Sequence, residues 1–278
     1  MRTRLLSLSV RWVACLIALG CFAQSRVPSA PGLDQLTPEQ GQAFLAGFRA
    51  ARLNSALCLR FEIVHKPRKG ESLPAVKGTL WAATQGTDQL LRGEIKDAQG
   101  KPALAFITVK SANGSRVWVS RRGAAAQELD DKAPLIPLAD GLILSPFDLQ
   151  LPFTHWPATA YLTTEKRRRP VHTFDALNQI GHEPAKVNYA IDHVYGVLIQ
   201  ASCFDANGKK TRTLQVEEFS KVDEQWMLAA CSLLDETTRD ADLLRITEAA
   251  WGELRGSMTF EPATLTQPAA TPATFKKL

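Results

Sequence analysis

The sequence predicts a mainly β protein of the α+β class. In it a large curved antiparallel sheet forms an incomplete barrel, and helices cover the concave face. About twelve segments alternate apolar and polar residues with a period of two, which is typical of half-buried strands. Their centres are roughly 12–15 residues apart, which favours an antiparallel meander over parallel units with crossover helices. Only two helices are predicted, so these must cover the apolar face of the sheet.

Length and composition exclude several classes of protein. The chain has 278 residues, of which 45% are hydrophobic and 22% are charged. These values exclude a wholly disordered chain, a collagen and a disulfide-rich miniprotein. The net charge is +5, but three of the basic residues lie in the N-terminal segment described next. The rest of the chain is only weakly basic, so no nucleic-acid partner is expected.

Residues 1–23 are predicted to be an export signal. A basic start precedes an apolar run over 12–20, which is shorter than the roughly 20 residues that a membrane-spanning helix needs. The run ends in Ala18-Leu-Gly-Cys21, which resembles a bacterial lipobox and makes Cys21 a candidate for acylation. Cleavage after Ala23 is the alternative. In both cases the mature protein is expected in the periplasm or on a periplasm-facing membrane surface, after a linker over 24–36.

The domain is predicted to span 37–255 and to begin with a helix over 38–54. Thr37 can cap this helix, Pro38 suits its first position, and Gln40 completes a capping box. The first strand follows, with Leu57, Leu59, Phe61 and Ile63 on one face. The other predicted strands are 76–83, 89–97, 103–110, 116–120, 158–166, 169–178, 185–194, 197–204, 210–220, 225–233 and 243–251.

Two regions interrupt this series of strands. Prolines break the alternation over about 133–156, where Ser145 can cap a short helix that starts at Pro146. The segment 256–278 has little to bury and is predicted to be a disordered tail.

The sequence contains no catalytic or metal-binding motif, so no enzyme activity and no cofactor are expected. Its five histidines never form a close pair, and neither a Gly-x-Ser-x-Gly motif nor a phosphate-binding glycine loop is present. The cysteines after the signal are Cys58, Cys203 and Cys231, at irregular spacing. Three buried thiols are the expected arrangement, and a bridge between Cys203 and Cys231 is the alternative.

Several motifs, in their order along the chain, resemble the LolA-like superfamily of periplasmic lipoprotein carriers. The resemblance runs from Thr37 to Trp251 and is closest to a subgroup of outer membrane lipoprotein-sorting proteins. The motifs are Leu59-Arg-Phe-Glu-Ile-Val, Lys77-Gly-Thr-Leu-Trp81, Ser111-Ala-Asn-Gly-Ser-Arg-Val-Trp118, Ser145-Pro-Phe-Asp-Leu-Gln-Leu-Pro-Phe-Thr-His-Trp156, Tyr189-Ala-Ile-Asp and Lys221-Val-Asp-Glu-Gln-Trp226. The resemblance to this superfamily implies a half-barrel that binds lipid or lipoprotein.

One feature of the carriers is missing. They have an Arg-Pro pair soon after the Gly-x-Leu-Trp strand, and its arginine holds the lid helices shut. The matching stretch here, Ala82-Ala-Thr-Gln-Gly86, contains neither residue. The resemblance therefore implies the fold but not the energy-linked hand-off of lipoproteins.

Apolar residues at alternate positions of several strands are expected to share one face of the sheet, and this face is the candidate binding surface. We expect it to bind acyl chains of a lipoprotein or an envelope lipid, and a membrane-bound protein is a second expected partner. The alternative is a non-catalytic envelope scaffold in which the same residues pack on the helix over 38–54 and close the core. The candidate residues are Leu59, Phe61, Ile63, Leu91, Ile95, Leu104, Phe106, Tyr189, Ile191, Val197 and Ile199.

Overall fold

The computed structural model describes residues 34–53, 55–97, 99–111, 114–129, 135–167, 169–222, 225–252 and 260–278. The predicted signal peptide, Cys21 and most of the predicted linker lie outside these residues. In the described part of the chain, no helix is both long and apolar enough to span a membrane.

Fourteen described strands and two short α-helices make up the fold, and the prediction of a mainly β protein is confirmed. The helices are α1 (Pro38–Ala50) and α2 (Pro146–Gln150), with 3-10 helices at Pro152–His155 and Pro262–Thr266. The strands are β1 (Ala56–Lys66), β2 (Val76–Gln85), β3 (Asp88–Lys96), β4 (Pro102–Ser111), β5 (Gly114–Arg121), β6 (Gln127–Leu129), β7 (Thr159–Lys166), β8 (Pro170–Leu177), β9 (Lys186–Asp192), β10 (Leu198–Phe204), β11 (Lys210–Val222), β12 (Gln225–Asp235), β13 (Ala241–Gly252) and β14 (Lys276–Lys277).

All fourteen strands belong to one antiparallel sheet. Its order is β6-β5-β4-β3-β2-β1-β13-β12-β11-β10-β9-β8-β7, and β14 pairs with β13 outside this path. The pairing of β1 with β13 joins the first and second halves of the chain. Among the described strands, β6 and β7 end the path and do not pair with each other, so the sheet is not closed.

Helix α1 begins as the sequence predicts but ends earlier. The capping box is present, because Thr37 Oγ1 accepts from the amide of Gln40 and the Gln40 side chain accepts from the amide of Thr37. The helix ends at Ala50 because Ala51 adopts an extended conformation, with ψ at 139°. The helix packs on β7, where a Cβ added at Gly41 would lie only 2.4 Å from the ring of Tyr161. Glycine therefore permits this close approach.

The strand residues divide between two faces of the sheet. In β1, Leu57, Leu59, Phe61 and Ile63 enter the main hydrophobic core together with residues of α1 and α2, and this side is called the core face. Cys58 points the other way and packs with Trp81 and with the C-terminal segment. That opposite side is called the tail face.

The segment around α2 is buried, and two charged residues of the sheet hold it. All five residues of α2 are buried. Asp242 of β13 accepts hydrogen bonds from the amides of Ile143 and Leu144, each at 2.7 Å, and from His65 Nδ1 at 2.7 Å. Arg212 of β11 contacts the carbonyl of Ile143 and forms an ion pair with Asp148. The predicted break over 133–156 is thus an ordered insertion in its described part.

The described part of the tail, 260–278, is packed against the sheet, which differs from the predicted disorder. Arg92 donates to the carbonyls of Thr264 and Gln267, and Trp81 Nε1 donates to the carbonyl of Ala270. Leu265 is buried. The segment buries few of its own side chains and is held mainly through its backbone, which explains why its composition does not reveal the contact.

The three described cysteines are free and buried. The expectation of buried thiols is confirmed, and the alternative bridge between Cys203 and Cys231 does not form. Burial raises the pKa of each thiol to about 12, so all three are protonated at neutral pH.

Candidate functional site

The core face brings together all the residues that the sequence nominates for lipid binding. Ten of them are buried in one continuous hydrophobic cluster, and Ile199 is half-buried against it. The two halves of the chain contribute to the same cluster because β13 pairs with β1 and continues the sheet into the second half. Their role in binding remains a prediction.

A bulge in β10 explains why Ile199 is less buried than the others. Leu198 pairs with Ile191, but the next pair is Gln200 with Ala190, so Ile199 has no direct partner on β9. A bulge of this kind changes the direction in which the following side chains point. The alternation of apolar and polar residues in the sequence continues through Ile199 and does not indicate the bulge.

Both helices place apolar side chains in this cluster. Leu45 and Phe48 of α1 are buried there, as are Phe147 and Leu149 of α2. Phe153, just after α2, stacks at a tilt on Tyr189 with ring centroids 5.4 Å apart. Apolar side chains of both helices therefore pack in the same cluster as the strand residues of the core face.

Arginine side chains tie these helices to their surroundings. Arg49 of α1 donates from Nε to the carbonyl of Thr154 at 2.6 Å and from Nη2 to the carbonyl of Trp156 at 2.9 Å. Arg212 binds Asp148 at 2.8 Å. Such charge-assisted hydrogen bonds are stronger than neutral ones, so they contribute to holding the segment in place.

Sequence reasoning did not identify the polar residues of the core face. Lys110 is 1% exposed, and its Nζ lies 3.2 Å from the carbonyl of Gln150. Burial and the positive charges of Arg49 and Arg52 lower the pKa of Lys110 to about 7. The sequence of β4 does allow the position of Lys110 to be predicted, because Lys110 is an even number of residues from Leu104 and Phe106 and so lies on the same face of the strand.

A second polar group joins the buried His172 to the exposed His193. His172 Nδ1 lies 2.9 Å from Thr164 Oγ1, and His172 Nε2 lies 2.6 Å from His193 Nδ1. Burial and the neighbouring His193 lower the pKa of His172 to about 4. In the residues that the structure describes, no group of three or more His, Cys, Asp or Glu side chains could hold a metal ion.

The chain is similar to known proteins in its three-dimensional structure. No family model and no curated protein sequence matches the chain. An outer membrane lipoprotein-sorting protein domain from Vibrio parahaemolyticus superposes with a TM-score of 0.70 at 15% identity, covering 83% of this chain and 100% of that one. A LolA superfamily protein from Nitrosomonas europaea superposes at 0.59 and 12% identity, covering 78% and 96%.

The chain has a LolA-like fold. A DUF1329 family protein from Desulfovibrio piger shares it, with a TM-score of 0.67 at 10% identity over 82% of this chain and 98% of that one. The resemblance seen in the sequence motifs is thus confirmed for the fold. Within the LolA-like fold, the region that lacks the Arg-Pro pair forms the end of β2, where Ala82 is buried in the core.

Proposed function

We propose that this chain is an exported, non-catalytic protein that binds lipid or lipoprotein and acts in outer membrane lipoprotein sorting or envelope lipid handling. In this proposal the open sheet is an incomplete barrel, and α1 and α2 cover its concave face. Acyl chains occupy the core face when a helix moves away. The structurally similar domain from Vibrio parahaemolyticus is that of an outer membrane lipoprotein-sorting protein, which supports the proposal.

The observation that carries this proposal is the single apolar cluster shared by the sheet and the helices. Burial of each methylene group contributes roughly 0.8 kcal/mol, so a long acyl chain that replaced helix side chains there could recover their apolar contacts. The polar attachments of the helices and of the α2 segment are made by a small set of side chains, namely Arg49, Arg212, Asp242, Lys110 and Gln42. A helix can therefore separate from the sheet without loss of the β ladder.

The second candidate is an envelope scaffold with a permanently closed core. The observation that favours it is the completeness of the packing, since Ile63, Leu91 and Phe106 are all 0% exposed. In such a protein the helices never leave the sheet, and the core face has no ligand.

Uptake of a fluorescent fatty acid separates the two candidates. We expect the delipidated protein to take up the probe, and Arg212→Met to take it up faster because the ion pair that anchors α2 is lost. Arg116→Met is the matched control, because it removes an exposed ion pair with Glu128 far from α2 in sequence. Absence of uptake, together with no lipid released from the freshly purified protein, would favour the scaffold.

The proposed location is the periplasm or a periplasm-facing membrane surface. If Cys21 is acylated, the linker over 24–36 is a tether up to Gln35 and Leu36, which hydrogen bond to β7. It extends on the order of 40 Å at most, since an extended residue spans about 3.3–3.6 Å. A tether of this length suits a resident lipid-binding module, whereas a protein cleaved after Ala23 suits a soluble carrier. The intact mass of the mature protein from membrane and soluble fractions distinguishes the two forms. Acyl chains and a membrane-bound protein are the proposed partners.

A further inference from the structure

A group of basic side chains meets at one end of the core face. Lys110 is at the end of β4, Arg49 and Arg52 are at the end of α1, and His155 follows α2. Burial and the positive charges of Lys110, Arg49 and Arg52 lower the pKa of His155 to about 3, so its imidazole is neutral beside these charges. Among the described residues, none of these side chains forms an ion pair with a carboxylate.

The hydrogen bonds of Lys110 are poor for a buried ammonium group. Its Nζ lies 3.2 Å from the carbonyl of Gln150 and 3.5 Å from Thr154 Oγ1, and neither partner is charged. A buried charge ordinarily has a counter-charge, because burial otherwise removes its hydration without replacement. Among the described residues, no carboxylate supplies this counter-charge to Lys110.

Three polar side-chain atoms on residues next to Lys110 are buried without any hydrogen-bond partner in the described structure. They are Gln89 Oε1, Thr108 Oγ1 and Gln150 Nε2. Gln89 pairs with Lys110 across β3 and β4, and Thr108 precedes Lys110 by two residues on the same face. Buried polar groups without partners are rare in native proteins and call for an explanation. Lys110 and these three residues are together called the Lys110 site.

We propose that the Lys110 site binds the anionic head group, a carboxylate or a phosphate, of an amphiphile whose chain occupies the core face. This inference rests on the proposed function. The Lys110 ammonium, the Gln150 amide and the Thr108 hydroxyl donate to the anionic oxygens. Gln89 Oε1 accepts from a hydroxyl of the head group.

The position of the site next to the apolar cluster supports an amphiphile rather than a free anion. Leu91 follows Gln89 by two residues, and Phe106 precedes Thr108 by two, so each polar residue has an apolar neighbour on the same face. An acyl chain attached to the bound head group can therefore continue directly over Leu91 and Phe106. Arg52 is exposed at the same end and gives an approaching anion a positive surface.

The test compares laurate, dodecyl phosphate and dodecanol, which share a chain and differ in the head group. Binding to the delipidated full chain is measured by calorimetry at pH 6, where Lys110, with its pKa of about 7, is protonated. We expect the wild type to bind the two anionic probes about tenfold tighter than dodecanol. Lys110→Met should lose this preference. We expect its affinity for all three probes to equal the affinity of the wild type for dodecanol. The matched control is Lys101→Met on the exposed loop before β4.

The outcomes separate this inference from the proposed function. If no probe binds the wild type, both are wrong. If dodecanol binds as tightly as the anionic probes, or if Lys110→Met keeps the preference, the head-group site is wrong and lipid binding stands. If inorganic phosphate, which has no acyl chain, competes with the anionic probes, the site binds a free anion, and the inference is also overturned. Should Lys110→Met fail to fold, Thr108→Val is used, and we expect it to lower the preference about threefold.

Discussion

Arg212 and Asp148 form an ion pair at 2.8 Å that joins β11 to the first turn of α2. The Asp148 side chain is 3% exposed and that of Arg212 is 12% exposed, so this pair is largely shielded from water. Asp148 also accepts hydrogen bonds from the amide and hydroxyl of Ser145 at the start of α2. One carboxylate thus caps the helix and attaches it to the sheet.

Loss of Arg212 should destabilise the protein strongly. Arg212→Met leaves Asp148 buried without its counter-charge, and we expect the free energy of unfolding to fall by about 3–5 kcal/mol. Arg212→Met combined with Asp148→Leu should recover part of this loss, because no unpaired charge remains. Denaturant unfolding measures both variants. Arg116→Met, at an exposed ion pair, should have no measurable effect, and an equal loss in that control would contradict the explanation.

Lys110 should make the stability of the protein depend on pH above neutrality. Its pKa is lowered from the ordinary 10.5 to about 7, so between these values the unfolded chain binds a proton that the folded chain does not. The contribution of Lys110 to the free energy of unfolding therefore rises with pH in this range, by up to about 1.4 kcal/mol per pH unit. We expect Lys110→Met to be more stable than the wild type near pH 7 and the difference to shrink towards pH 10. Thermal or denaturant unfolding at several pH values checks this. A constant difference across the range would contradict it.

His172 should make the protein sensitive to acid. Its pKa is lowered from the ordinary 6.5 to about 4 by burial and by His193. The unfolded chain therefore binds a proton between pH 6.5 and 4 that the folded chain does not, and stability falls as the pH decreases through this window. We expect His172→Gln to lose less stability than the wild type between pH 7 and 4.5. His182→Gln, on the loop between β8 and β9, is the control and should follow the wild type.

Alternation in the sequence was sufficient to predict most of the sheet, but not the positions at which it is interrupted. The first predicted strands correspond to β1–β5, because each buries one phase on the core face. The three-residue β6 and two-residue β14 are too short to show a period. The bulge at Ile199 has no sequence signal, because an extra residue does not alter the local composition.

The polar features of the core were predictable only in part. The phase of β4 places Lys110 on the core face, and the phase of β1 does the same for His65. The partners of these residues cannot be read from alternation. Gln150 lies 40 positions from Lys110, and Asp242 lies 177 positions from His65. Only the folding of the sheet brings such residues together, so the sequence could locate the buried polar groups but not their pairing.

Removal of the C-terminal segment should expose Cys58 selectively. Phe260, Ala269 and Phe275 pack against the small cluster that contains Cys58 and Trp81, so the segment shields the tail face from water. In a chain that ends at residue 259, burial of Cys58 decreases, its raised pKa of about 12 falls, and its thiolate fraction increases. We expect alkylation by iodoacetamide at pH 8, mapped by mass spectrometry, to become about tenfold faster at Cys58. Cys203 and Cys231 lie in the main core and serve as internal controls, since Leu278 is the one residue of the removed segment that packs against that core among the described residues. Equal acceleration at all three thiols would indicate general unfolding, and an unchanged rate at Cys58 would show that the segment does not protect this face.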